Sequence, residues 1–127
     1  MGCALPDAIG AKLALPNRKV VALVGDGGFM FTVNELATAV EESLSIPIII
    51  WHNHSYAMIR DGMVKRGIPE IGVNPVAPNF EKLAAAFGCP GENVTNESQF
   101  RVSLNNAFNH DGPSLIIVSE NDRWLVG

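Results

Sequence analysis

One stretch, Val20 to Tyr56, constrains the fold of this chain more than any other: two apolar runs, each closed by a polar turn, with a helical segment between them. The first run, Val20-Val21-Ala22-Leu23-Val24, stops at Gly25-Asp26-Gly27-Gly28. Apolar residues at helical spacing follow from about Val33 to Ser43. The second run, Ile46-Pro47-Ile48-Ile49-Ile50-Trp51, stops at His52-Asn53-His54-Ser55-Tyr56. Period-3.6 patterning between two β-branched runs predicts a βαβ unit. A right-handed crossover then brings both strand ends to one edge of a parallel sheet, where ligands of open α/β sheets bind. The strand expected over 19–25 is apolar throughout Val20–Val24, which predicts a central strand covered on both faces.

Asp26 and Asn53 each fall just past one of these strands. A carboxylate and an amide oxygen are hard donors, suited to a Mg²⁺ ion that shares its remaining sites with phosphate. Gly27 and Gly28 let the backbone come close to a bulky anion. The helix after them points free N–H groups at the same place. Taken singly, Asp26 reads equally as a helix cap in a turn, and Asn53 as a strand-end turn former. Their pairing favours a Mg²⁺-diphosphate site.

The two halves together, Gly25-Asp26-Gly27 and then Asn53 at 27 positions beyond Asp26, resemble the signature of thiamine diphosphate (ThDP) enzymes. That signature is Gly-Asp-Gly followed by Asn-Asn, and the offset is that of the pyruvate decarboxylase and acetolactate synthase group. The surrounding text agrees: Met1-Gly2-Cys3-Ala4-Leu5-Pro6, Asn34-Glu35-Leu36-Ala37-Thr38-Ala39 and Ser55-Tyr56-Ala57-Met58-Ile59-Arg60. The resemblance implies a C-terminal pyrophosphate-binding domain, residues 1–127, incomplete at its N-terminus. Its fold would be α/β, a three-layer, Rossmann-like parallel sheet flanked by helices.

The same resemblance implies ThDP and Mg²⁺ as cofactors. Asp26, Asn53 and the backbone carbonyl of Ser55 would hold the metal. Met1, Gly25, Asp26, Gly27, Gly28, Asn53, Ser55, Tyr56, Ala57 and Met58 would line the cofactor. Met1 stands where the family puts a bulky apolar residue under it. His52 departs from the motif, which has Asn there, and reads as a plain substitution beside the ligand. The implied reaction is decarboxylation or carboligation of a 2-oxo acid, with no catalytic side chain in this chain. The family's activating glutamate comes from a pyrimidine-binding domain or subunit. A homo- or hetero-oligomer is therefore expected, and the chain alone would be inactive. Alternatives are a non-catalytic fragment or separately encoded subunit that keeps the diphosphate site, and an unrelated nucleotide binder. The last lacks any Gly-x-Gly-x-x-Gly or Gly-x-x-x-x-Gly-Lys-[Ser/Thr] motif.

Composition narrows the classes further. The 127 residues are enough for one domain with a real core. A net charge of −4 with scattered Lys and Arg argues against a nucleic-acid surface. The apolar runs are far shorter than the roughly 20 residues of a membrane span. The first residues lack a basic leader, so a cytoplasmic protein is expected. Cys3 and Cys89, both in apolar contexts, read as buried free thiols, and His54 and His110 as solvent-facing. Helices are predicted over 4–15, 56–65, 80–87 (with Gly88 as C-cap) and 98–109. A loop is predicted over 66–78, with strands near 93–94 and over 114–119. Thr32 or Asn34 is placed to cap the helix at 33–43. No element is assigned from Glu120 onward.

Overall fold

The strand runs foreseen in the sequence form, and every pairing between them is parallel. The computed structural model describes residues 1–125. Its single sheet has the order β1-β2-β4-β3, with β1 at Ala22–Gly25, β2 at Pro47–His52, β3 at Gly91–Val94 and β4 at Ser114–Ser119. The helices among the described residues are α1 (Ala4–Ala14), α2 (Asp26–Met30), α3 (Glu35–Glu41), α4 (Ala57–Lys65), α5 (Phe80–Ala86) and α6 (Glu97–Asn109). A 3₁₀ turn follows β4 at Arg123–Leu125; residues 126 and 127 lie outside the described residues.

Side-chain parity sorts these elements into three layers. Ala22 and Val24 of β1, Ile48 and Ile50 of β2, and Leu115 and Ile117 of β4 share one face. There they pack with Leu5 and Ile9 of α1, Phe29 of α2, Leu36 of α3, and Phe80 and Ala84 of α5. Ile116 and Val118 take the opposite face, against Ala107, Phe100 and Leu104 of α6 and against Trp124. The topology explains this division. The paths from β1 to β2 and from β2 to β3 step in one direction across the sheet; the path from β3 to β4 steps back. Under the right-handed crossover rule a reversed step puts its helix on the other face, and α6 is the helix of that step.

The ends of the elements have local causes. Asn79 and Asn96 cap α5 and α6, their side chains accepting from the N–H of Lys82 at 2.8 Å and of Gln99 at 2.9 Å. Gly88, at φ +77°, ends α5 in a conformation that favours glycine. Pro47 occupies the first position of β2, as a strand proline must.

Several expectations are corrected. β1 is an edge strand, not a central one, and Leu23 is 65% exposed because α6 does not reach that part of its face. The glycine turn expected at Gly25-Asp26-Gly27-Gly28 is instead the start of a turn of α-helix, Asp26–Met30. Asn34 precedes α3 without a side-chain cap, its amide bonding Glu35 instead. The sequence reads α6 as carrying Phe100, Val102, Leu104 and Phe108; its buried positions are Ser103 and Ala107, and Val102 is exposed. No residue of α4 is buried, and its apolar Met58, Ile59 and Val64 are all exposed. Cys3 is exposed, whereas Cys89 is buried as expected. His110 is half-buried, its Nδ1 lying 3.2 Å from the carbonyl of Gly112. No helix among the described residues is long and apolar enough to cross a membrane.

Candidate functional site

The register of β1 on β2 sets the geometry at the carboxyl edge. Ala22 pairs with Ile48, and each later pair keeps the same offset to Gly25 with Trp51. One step further places Asp26 opposite His52. Both continue the parity of Val24 and Ile50, so both side chains rise over the face that carries the main core. They meet there, with His52 Nδ1 2.7 Å from Asp26 Oδ2.

Asp26 ties the two turns together. Its Oδ2 also accepts from the backbone N–H of His54 at 3.0 Å and of Asn53 at 3.3 Å. Its Oδ1 accepts from the N–H of Gly27 at 2.7 Å. The residue is only 7% exposed, so these bonds hold a carboxylate largely withdrawn from water. Asn53 Oδ1 accepts from the N–H of Ser55 at 3.1 Å, a local turn that fixes the amide. Ser55 is buried, and its hydroxyl accepts from Arg60 at 3.1 Å. Between Asn53 and Ser55, His54 takes φ +58°, a left-handed conformation uncommon outside glycine. Its side chain is exposed, as expected.

These turns border an open cleft of about 210 Å³. Gly25, Asp26, Gly27 and Gly28 form one wall; Asn53, Ser55 and Tyr56 form the other. Ala57 and Met58, at the start of α4, and Met1 complete the lining. Every site residue expected from the sequence therefore borders this one cleft, and of its other lining only Ile59 was not foreseen. The glycines differ in what they leave room for. A Cβ on Gly27 would lie 2.7 Å from Cδ1 of Tyr56, so that glycine is required by the tyrosine ring. A Cβ on Gly25 would meet nothing within 4 Å, which leaves the backbone there open.

The chemistry of this donor set suits a hard divalent cation with phosphate oxygens, since it offers one carboxylate, one amide and backbone carbonyls. No cluster of three or more His, Cys, Asp or Glu side chains able to hold a metal occurs among the described residues. A metal here would need oxygens from elsewhere, as a diphosphate supplies.

His52 is the site residue that sequence reasoning missed. The structure makes it a direct partner of Asp26 rather than a plain substitution. Its signal is structural: the β1–β2 register, extended one residue past Gly25 and Trp51, brings 26 beside 52.

Comparison with known proteins gives the family. Residues 1–118 match the family model described as thiamine pyrophosphate enzyme, C-terminal TPP binding domain. A probable 2-ketoarginine decarboxylase of Pseudomonas aeruginosa is 40% identical over 117 residues, which cover 91% of this chain and 21% of that protein. The acetolactate synthase isozyme 2 large subunit of Escherichia coli is 36% identical over 121 residues, 94% of this chain and 22% of that one. Among solved structures, a ThDP-dependent 4-hydroxybenzoylformate decarboxylase of Rhodococcus jostii superposes with a TM-score of 0.88 at 31% identity. That match covers 95% of this chain and 23% of the decarboxylase. The chain thus spans about a fifth of the length of these relatives. With the family model matched over residues 1–118, the chain belongs to the C-terminal TPP-binding domain family of thiamine pyrophosphate enzymes.

Proposed function

We propose that this chain supplies the Mg²⁺-diphosphate half of a ThDP site in an enzyme that decarboxylates a 2-oxo acid or joins it to an acceptor. The observation that carries this reading is the single cleft bordered by Gly25, Asp26, Asn53 and Ser55. Asp26, Asn53 and the Ser55 carbonyl would hold Mg²⁺, and the backbone at Gly25, Gly27 and Gly28 the diphosphate. Tyr56, Ala57 and Met58 would close one side, with Met1 under the cofactor rings. When bound, ThDP supplies a nucleophilic carbon and an electron sink for loss of CO₂ from a 2-oxo acid. The protein's share is to fix the diphosphate end and keep the Asp26 carboxylate oriented.

The rim of the cleft supports a partner. Met1 is 72% exposed and Met58 89%, and Ile59 and Val64 of α4 are also exposed. Grouped apolar side chains beside a site mark a surface that another protein covers. A pyrimidine-binding domain or subunit fits this place, in a homo- or hetero-oligomer, and would complete the cofactor site.

Titration with ThDP, with and without Mg²⁺, tests the reading. Trp51 lies two residues before Asn53 and reports the event by fluorescence, most cleanly in a Trp124→Phe background. Mg²⁺-dependent binding that Asn53→Ala abolishes is the expected result. A folded chain that binds no ThDP with Mg²⁺, even when a relative's pyrimidine-binding domain is added, overturns it.

A further inference from the structure

We infer that His52 is the positioning residue of this site: it holds Oδ2 of Asp26 and leaves Oδ1 as the oxygen presented to the metal. The inference rests on the proposed function and adds a role for the one residue that departs from the family motif.

The bonding of the carboxylate is unequal. Oδ2 takes three N–H donors, from His52 at 2.7 Å, His54 at 3.0 Å and Asn53 at 3.3 Å. Oδ1 takes one, from Gly27 at 2.7 Å. Each carboxylate oxygen has about two lone-pair sites. Oδ2 is therefore saturated, and Oδ1 keeps a site for a cation. A carboxylate that rotated freely would present either oxygen. Among the described residues, the shortest bond to Oδ2, and the only one from a side chain, is that of His52.

The imidazole is itself held. Its side chain is only 14% exposed. Phe80 meets the ring edge-on, with centroids 5.4 Å apart at 85°, and the ring of His54 lies 3.8 Å away at 52°. Phe80 is 4% exposed and packs edge-on against Phe29 in the main core, at 6.0 Å. A rigid path thus runs from Phe29 through Phe80 and His52 to Asp26. Partners that orient a metal-ligating carboxylate typically control metal affinity ten- to a hundredfold. Asn, which the motif has at this position, offers an N–H donor without the wedged ring. This chain keeps the donor and adds an anchor to the core.

Two substitutions separate donor from packing. His52→Phe keeps a ring beside Phe80 and cannot donate; His52→Asn donates and cannot fill the space. Apparent Mg²⁺ affinity is measured on the full chain at fixed ThDP by Trp51 fluorescence, and folding is checked by circular dichroism in EDTA. The Phe variant should lose about ten- to a hundredfold in Mg²⁺ affinity, and the Asn variant should stay within a few-fold of wild type. A Phe variant that binds Mg²⁺ as wild type does, or an Asn variant that loses as much as Phe, refutes the positioning role while the proposed function stands. A folded wild-type chain with no Mg²⁺-dependent binding, even with a relative's pyrimidine-binding domain added, refutes the function, and the inference with it. A third arm needs no variant and no cofactor. Because a carboxylate only accepts, His52 must carry a proton on Nδ1 in the metal-free chain. A ¹⁵N spectrum that shows Nδ1 bare there overturns the inference by itself.

Discussion

Replacing Asp26 by Ala should destabilise the chain before any cofactor is considered. The substitution removes the one acceptor shared by His52 Nδ1 and by the N–H groups of Gly27, Asn53 and His54. Hydrogen bonds to a charged acceptor contribute about 1.5–3 kcal/mol each, and two of these four are short. The sum is not additive, because a water entering the vacated space can satisfy two or three of the donors. A loss of about 2–4 kcal/mol follows, at a site only 7% exposed. For a domain of this size that lowers the midpoint of melting by roughly 10 °C. Asn53→Ala is the control. Its side chain accepts one local bond, from Ser55, and its loss should cost about 0.5–1 kcal/mol. The assay is urea unfolding in EDTA, followed by circular dichroism, with both variants beside wild type. An Asp26→Ala chain as stable as wild type, or no less stable than Asn53→Ala, refutes the claim that this carboxylate joins the two turns.

Other expectations test the frame around the site. Gly91→Ala should lower stability by about 1–3 kcal/mol in the same unfolding assay, because the new Cβ would lie 2.6 Å from Cβ of Ala84, where α5 crosses β3. Under native conditions iodoacetamide should modify Cys3 and spare Cys89, as intact-mass measurement with peptide mapping will read. Burial pushes the Cys89 thiol up to about 11, from 9.0. Between those values the unfolded chain has lost the proton that the folded chain keeps, so this contribution to stability is full below pH 9 and lost as pH rises towards 11. Cys89→Ala should flatten that part of the pH profile. Ser114→Ala should leave stability unchanged or raise it by up to about 1 kcal/mol, since Oγ of Ser114 is buried with no hydrogen-bond partner among the described residues.

The strands and helices that pack on two sides were legible because their periodicity is imposed by burial. β4 runs from Ser114 to Ser119 as the sequence implied, and α1, α5 and α6 lie within a residue or two of their expected bounds. What could not be read was which strand lies at the edge. Val21 and Leu23 look like core residues, yet Leu23 is largely exposed, because apolar composition records a need for cover and not what provides it. The turn at Asp26–Met30 was misread for a different reason. Two glycines lower intrinsic helix propensity by about 1 kcal/mol each. Phe29, fully buried in the main core and edge-on to Phe80, holds that turn helical against its own preference.

The candidate site shows the same division between motif and geometry. Asp26 and Asn53 were visible as a motif, since their spacing in the text is enough to mark them. His52 was not, because a motif marks positions by type, and here the type was wrong. Its importance lies in register: the offset that pairs Ala22 with Ile48, continued one step past Gly25 and Trp51, brings 26 beside 52. A consequence follows for how the site should be probed. Asp26 is both the proposed metal ligand and the acceptor that joins the β1 and β2 turns. A loss of binding in Asp26→Ala therefore cannot separate missing ligation from a displaced Asn53. Asn53→Ala can, because its side chain serves only its own turn. If that variant loses no more than about 1 kcal/mol of stability and loses Mg²⁺-dependent binding, ligation is measured apart from folding.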